Sequence, residues 1–117
     1  MANILHICSQ GEWEAGQAAG AYTAASLATE GFIHCSTSAQ VLGVANNIFV
    51  GQTDLILLVI DTEKLTEQLV YEDSYNHGDE FPHIYGPLNL SAVIDVVLFP
   101  AGSDGRFSLP PKLAEAD

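Results

Sequence analysis

The chain has 117 residues, 48% of them hydrophobic and 15% charged, a balance that belongs to one folded domain rather than to a disordered segment. Three basic side chains, Lys64, Arg106 and Lys112, stand against fifteen acidic ones, for a net charge of -12. Such a surface repels phosphate backbones and anionic lipid, which excludes nucleic acid and membranes as expected partners and leaves a small molecule or a basic protein.

The apolar run Asn3 to Cys8 (NILHIC) predicts a strand on which His6 shares a face with Ile4 and Cys8. SQGEWEAGQ reads as a loop. The alanine-rich stretch from Gln17 to Glu30 predicts a helix, stopped at Gly31. GFIHCS predicts a second strand, with Phe32, His34 and Ser36 on one face and Ile33 and Cys35 on the other, so the adjacent His34 and Cys35 point apart. Thr37 and Gln40 have the form of a capping box ahead of Val41, Val44, Ala45 and Ile48, which repeat at helical spacing. DLILLVI, starting at Asp54, reads as a buried central strand. After it come a turn (TEKLTEQ), a short strand (LVYE), a polar loop (YNHGDEFP), a brief strand (HIYG), a turn (LNLSA) and a last strand (VIDVVLF).

Several intervals between strands are too short for parallel crossovers. The expected fold class is therefore α+β, a twisted, mostly antiparallel sheet with two main helices. Residues 1–100 should form the single domain and 101–117 a loosely attached acidic tail. The longest apolar stretch, Leu55 to Ile60, is too short to cross a bilayer, and the N-terminal segment has no basic flank of an export signal, so a soluble cytoplasmic protein is expected. Cys8 and Cys35 then read as buried or reduced thiols rather than as a disulfide.

No phosphate-loop, dinucleotide, nucleophile-elbow, zinc-protease or C-x-x-C motif is present. What stands out is polar residues set in apolar strands: His6, His34, Ser36, Glu72, and His83 with Tyr85. A single strand histidine usually does no more than satisfy buried backbone. Three of them converging on one cleft with Ser36 and Tyr85 would instead surround a small polar ligand, with Glu72 as base or as partner of a ribose-like hydroxyl. Zinc is disfavoured because Cys8 and Cys35 lack paired ligand spacing, and no cofactor is indicated. A Cys35 nucleophile is disfavoured because its neighbour His34 faces away. The helix start near Thr37 offers free N–H groups to a phosphate without lysine or arginine. Trp13 and Tyr22 read as core or pocket wall, Glu12, Glu14, Asp73, Asp79 and Glu80 as solvated surface, and His77 as an exposed loop residue.

With GFIHCSTSAQV, LILLVID, YE and FPHIYGPLNLSAV in place, the chain resembles the bacterial domain-of-unknown-function 952 family from about His6 to Val97. The matching positions are His6, Trp13, residues 31–36, Gln40, Glu72 and residues 82–87. The resemblance implies a fold similar to that of the ADP-ribosyltransferases, with a cleft beside the sheet. In those enzymes a first-strand histidine or arginine holds the nicotinamide ribose, a later strand carries a serine or tyrosine, and a glutamate orients the ribose. His6, Ser36 and Glu72 match those roles. RNA 2′-phosphotransferases of similar fold use several arginines, which this chain lacks in the matching region. The expected function is thus a cleft for a nucleotide or NAD-like ligand, with transfer or hydrolysis at ribose. Glu72 and His83 are the catalytic candidates, and His6, His34, Ser36 and Tyr85 the binding ones. The alternative is a non-catalytic interaction module with structural histidines that meets a basic protein.

Overall fold

The computed structural model describes residues 3–73, 78–111 and 113. The first strand, β1 (Asn3–Ser9), runs antiparallel to β4 (Leu55–Asp61), which pairs on its other side with β8 (Val93–Leu98). β4 is the middle strand, and its run Leu55 to Ile60 is buried along its whole length because both faces are covered. A second three-stranded sheet has β3 (Ile33–His34) and β5 (Gln68–Glu72) on either side of β6 (Phe81–Tyr85), again antiparallel. A two-stranded ribbon joins β2 (Ala21–Tyr22) to β7 (Leu88–Asn89). Among the described residues the fold is α+β, with antiparallel pairing throughout these strands and three α-helices rather than the two expected.

Among the described residues one backbone bridge joins the two larger sheets. Leu5 N–H donates to the Ser36 carbonyl at 2.7 Å and Ser36 N–H donates to the Leu5 carbonyl at 2.8 Å, while Cys35 N–H donates to the Pro82 carbonyl at 3.0 Å. Residues 35 and 36 therefore hand the chain from one sheet to the other. Each sheet face has its own core. Ile4, Cys8, Tyr22, Ile33, Cys35, Leu58 and Ile84 form the first, with Trp13 and Leu27 packed against it. Leu5, Ile7, Val41, Ala45, Leu57, Phe99 and Phe107 form the second. The opposite assignments of Leu5 and Cys8, or of Leu57 and Leu58, follow from the two-residue period of a strand.

Several local expectations change. The segment read as a loop after Ser9 is α1 (Gln10–Ala19), opened by a full capping box in which Ser9 Oγ accepts from Glu12 N–H and Glu12 Oε1 accepts from Ser9 N–H. The single helix expected from Gln17 to Glu30 is broken at Gly20, whose φ of 89° is open to glycine at little cost. Ala21 and Tyr22 then extend to pair with β7, and α2 (Ala25–Glu30) is a separate short helix ending at Gly31. Ahead of α3 (Val41–Ile48), Gln40 Oε1 accepts from Thr37 N–H at 3.1 Å, which is half of the expected box, and the regular helix begins four residues after Thr37. LNLSA is a turn only in part, since Leu88 and Asn89 form β7.

The tail expected after Pro100 is not loosely attached over its described residues. Phe107 stacks on Phe99 with ring centroids 4.8 Å apart, Leu113 is buried in the second core, and Asn46 on α3 bonds both the N–H and the carbonyl of Phe107. Exposed apolar surface on α3 and the sheet is what this segment covers, and mixed turn residues conceal that role in the sequence. His77 and residues 114–117 lie outside the described residues. Among the described residues no helix is long and apolar enough to cross a membrane.

Gly16 shows how tightly the first core is closed. A Cβ there would come to 3.0 Å from the Tyr22 Cα and ring. Alanine is worth about 1 kcal/mol over glycine inside a helix, but a contact with backbone cannot relax by a side-chain rotation. Gly16→Ala should lower stability by about 1–2 kcal/mol despite that propensity, measured by urea unfolding; a stabilised variant would contradict the packing described.

Candidate functional site

The cleft lies on the α3 side of the join between the sheets, a volume of about 790 Å³. Leu5 and Ile7 from β1, Val44, Ile48 and Phe49 from α3 and its end, and Phe81 make its apolar wall, and Ser36, His34, His83, Glu72, Asp73 and Asp79 its polar one. The polar side is built by strand alternation. On β6, Phe81, His83 and Tyr85 share a face while Ile84 turns into the first core. Cross-strand pairing puts His34 opposite His83 and Glu72 opposite Phe81, so residues from β3, β6 and β5 line up across one surface.

His83 is the centre of this arrangement. Its ring is 2% exposed, stacks on Phe32 with centroids 4.0 Å apart, and meets the His34 ring edge-on at 5.2 Å. Nδ1 lies 2.8 Å from Glu72 Oε2. A carboxylate only accepts, so Nδ1 carries the proton, and in the neutral imidazole Nε2 presents a lone pair. Among the described residues Nε2 has no partner, and no buried side-chain nitrogen or oxygen goes unsatisfied, so Nε2 meets the solvent of the cleft. The same Glu72 oxygen accepts a short hydrogen bond from the Tyr85 hydroxyl. These two donors, Tyr85 first and His83 second, hold the Glu72 carboxyl below its ordinary pKa, and the bond to Glu72 raises the Tyr85 phenol.

Ser36 is 5% exposed, and its hydroxyl likewise has no partner among the described residues and opens to the cleft. His34 is more exposed, with Nε2 at 3.0 Å from Glu30 Oε2. Tyr85 reaches the group through Glu72 and through a tilted contact with Phe32 at 5.3 Å.

His6 differs from the others. It contributes to the cleft wall, yet both ring nitrogens are engaged: Nδ1–H donates to the His34 carbonyl at 2.5 Å, and Nε2 accepts from the Tyr22 hydroxyl at 2.8 Å. Burial holds this imidazole below its usual pKa. Tyr22 also bonds the Cys8 thiol, which burial pushes up to about 12; Cys35 is raised by the same cause. Both cysteines are free, buried and poor nucleophiles at neutral pH. Among the described residues no three histidine, cysteine or acidic side chains are grouped to hold a metal ion.

Two kinds of site residue escaped the sequence reading. Phe32, the ring under His83, was visible as the residue sharing a strand face with His34. Asp73 and Asp79, read there as solvated surface, line the cleft because the segments flanking the β5–β6 connection border it. Gln40, besides serving Thr37, donates from Nε2 to the Glu80 carbonyl at 2.7 Å and ties the start of α3 to that border.

The lowered pKa values of His6 and Glu72 each give a test of role, and both contributions are lost on acidification. His6 refuses in the folded state a proton that the unfolded chain accepts below about pH 6.5, so its contribution is full above that pH and is lost as pH falls toward the folded value. His6→Gln should cost about 2 kcal/mol near pH 7 and flatten the fall in urea midpoint between about pH 7 and about pH 5; a slope as steep as wild type would refute the assignment. Glu72, with a depressed folded pKa, stabilises above the ordinary carboxylate range, and that contribution disappears as pH falls through the folded value. Glu72→Gln should therefore be less stable than wild type at neutral pH and approach it as pH falls below the ordinary carboxylate range, with parallel curves as the contrary result.

The chain matches the family described as "Protein of unknown function (DUF952)" over residues 7–96. It is similar to protein CC0527 from Caulobacter crescentus in its crystal structure, with 37% identity, a TM-score of 0.86, and coverage of 96% of this chain and 98% of that one. The crystal structure of a double mutant of CC0527 gives 36% identity and a TM-score of 0.86 with the same coverage. The solution NMR structure of CC0527 gives 36% and 0.80 over 100% of this chain and 97% of that one. No curated protein matches. The chain, matched over most of its length, belongs to the DUF952 family of proteins of unknown function.

Proposed function

We propose that the cleft binds the ribose-bearing part of a nucleotide or NAD-like ligand and that Glu72 and His83 serve transfer or hydrolysis at the ribose, in a domain similar to the ADP-ribosyltransferases. The observation that carries this reading is the buried His83, held by Glu72 at Nδ1 and open to the cleft at Nε2. A base needs one nitrogen fixed and the other facing the reacting proton. In hydrolysis, Nε2 takes a proton from water as its oxygen bonds the ribose C1′. The C1′–N bond breaks and the base leaves with the electron pair. Glu72 keeps the imidazole oriented and stabilises the imidazolium that forms. Ser36 holds a ribose hydroxyl, His34 borders the ring pocket, Tyr85 steadies Glu72, and His6 supports the strand that carries His34. Phosphates would rest near the N–H groups at the start of α3.

Calorimetry with NAD and ADP-ribose tests the binding, repeated with His83→Ala. Wild type should bind NAD, and the variant should bind about tenfold more weakly, as loss of one hydrogen bond to a ligand implies; no heat from either ligand with wild type sinks the nucleotide reading. If the chemistry occurs, Glu72→Gln should slow nicotinamide release by about 10²-fold or more, the usual scale of acid–base assistance.

A second reading, a non-catalytic interaction module with structural histidines, is favoured by His6, whose two nitrogens are consumed inside the protein. A basic protein partner held equally by wild type, His83→Ala and Glu72→Gln would support it over the first.

A further inference from the structure

We propose that the cleft selects a ligand whose charged part is a small organic cation, such as a pyridinium or ammonium group, over neutral and anionic relatives. This rests on the reading of the cleft as a ligand site and assigns the chemical class of its occupant.

Two independent observations carry it. The first is that His83 and Ser36, both more than nine-tenths buried, face the cleft with an unpartnered Nε2 and Oγ. Neither atom is sealed from solvent, so each can exchange a cleft water for a bound molecule's hydroxyl or amide, and the floor of the cleft offers fixed polar positions to such a group. The second is the charge around that floor. Glu72, Asp73 and Asp79 all line the cleft, and among the described lining residues there is no lysine or arginine. Among the described lining residues, the side chains able to carry positive charge are the imidazoles of His6, His34 and His83, of which His6 is buried and held neutral and His34 sits against Glu30. Lys64 lies in the turn after β4 and Arg106 in the C-terminal segment, outside the lining.

A concave, partly apolar wall weakens solvent screening of these carboxylates, so their potential adds over the cleft mouth and is reinforced by the chain's net charge of -12. An anion entering must oppose that potential, whereas a cation gains from it. Phe81 and Phe49 offer aromatic wall beside the acids, a surface that tolerates a flat cationic ring. The charge argument separates the two ends of an NAD-like molecule: the nicotinamide riboside end, cationic ring and neutral sugar, suits the acidic cleft, and the diphosphate belongs at its edge.

The test compares three probes with wild-type protein by calorimetry or chemical-shift titration: nicotinamide riboside as cation, adenosine as neutral nucleoside and ADP-ribose as anion. Nicotinamide riboside should bind about tenfold more tightly than adenosine, with ADP-ribose weakest, and the preference should shrink when salt is raised from about 20 mM to about 200 mM. Combining Asp73→Asn with Asp79→Asn should bring nicotinamide riboside down to the affinity of adenosine. An unchanged unfolding midpoint shows that this variant remains folded, and a lowered one moves the comparison to the single Asp79→Asn change at an exposed position. Equal binding of adenosine and nicotinamide riboside, or tightest binding of ADP-ribose, overturns cation selection while leaving a ribose site. Binding of none of the three overturns both.

Discussion

The pair of backbone hydrogen bonds between Leu5 and Ser36 is the contact on which the remaining architecture depends. β1 is the edge of one sheet and β3 the edge of the other, and among the described residues this single bridge joins their ladders. Beyond it the His34 carbonyl finds its donor not in backbone but in the imidazole of His6. A side chain replacing a ladder bond lets two strands separate while each buried polar group stays satisfied. That separation makes room for the cleft on the α3 side, while Tyr22, Cys8 and Cys35 close the opposite side.

The same constraint sets the chemistry. Because residue 36 is fixed to β1 and residue 35 to β6, His34 and Ser36 are held in register with His83, and β5 then places Glu72 beside it. Strand pairing across three segments far apart in the chain thus supplies what a catalytic or binding group requires, a rotamer locked by packing on Phe32 and a hydrogen bond that assigns one nitrogen. The acids are added from the residues flanking the β5–β6 connection. Positioning comes from the sheet, and charge comes largely from its connection.

Much of this was legible along the chain because strands speak in a period of two. GFIHCS already separates Phe32, His34 and Ser36 from Ile33 and Cys35, and the uninterrupted LILLVI announces a strand covered on both faces. Long-range decisions left weaker traces. Gly20 breaks an otherwise helical alanine run because Tyr22 must reach β7 and His6, and nothing near Gly20 reveals those partners. Phe107 and Leu113 are core residues amid turn-forming neighbours, legible only once α3 presents a surface for them. The histidines looked alike as sequence; one is saturated and another has a free nitrogen because their neighbours in space differ.

By itself the sequence determined the antiparallel α+β class, the face on which each residue of GFIHCS lies, and the scarcity of positive charge, since these follow from short-range periodicity, connection length and composition. Only the tertiary structure decided that His6 supports the join while His83 opens to the cleft, that Glu72 pairs with His83 and Tyr85, and that Asp73 and Asp79 border a cavity. Hydrogen-bond partners and desolvation arise from residues distant in the chain, and a side chain's chemistry is set by those partners as much as by its own identity.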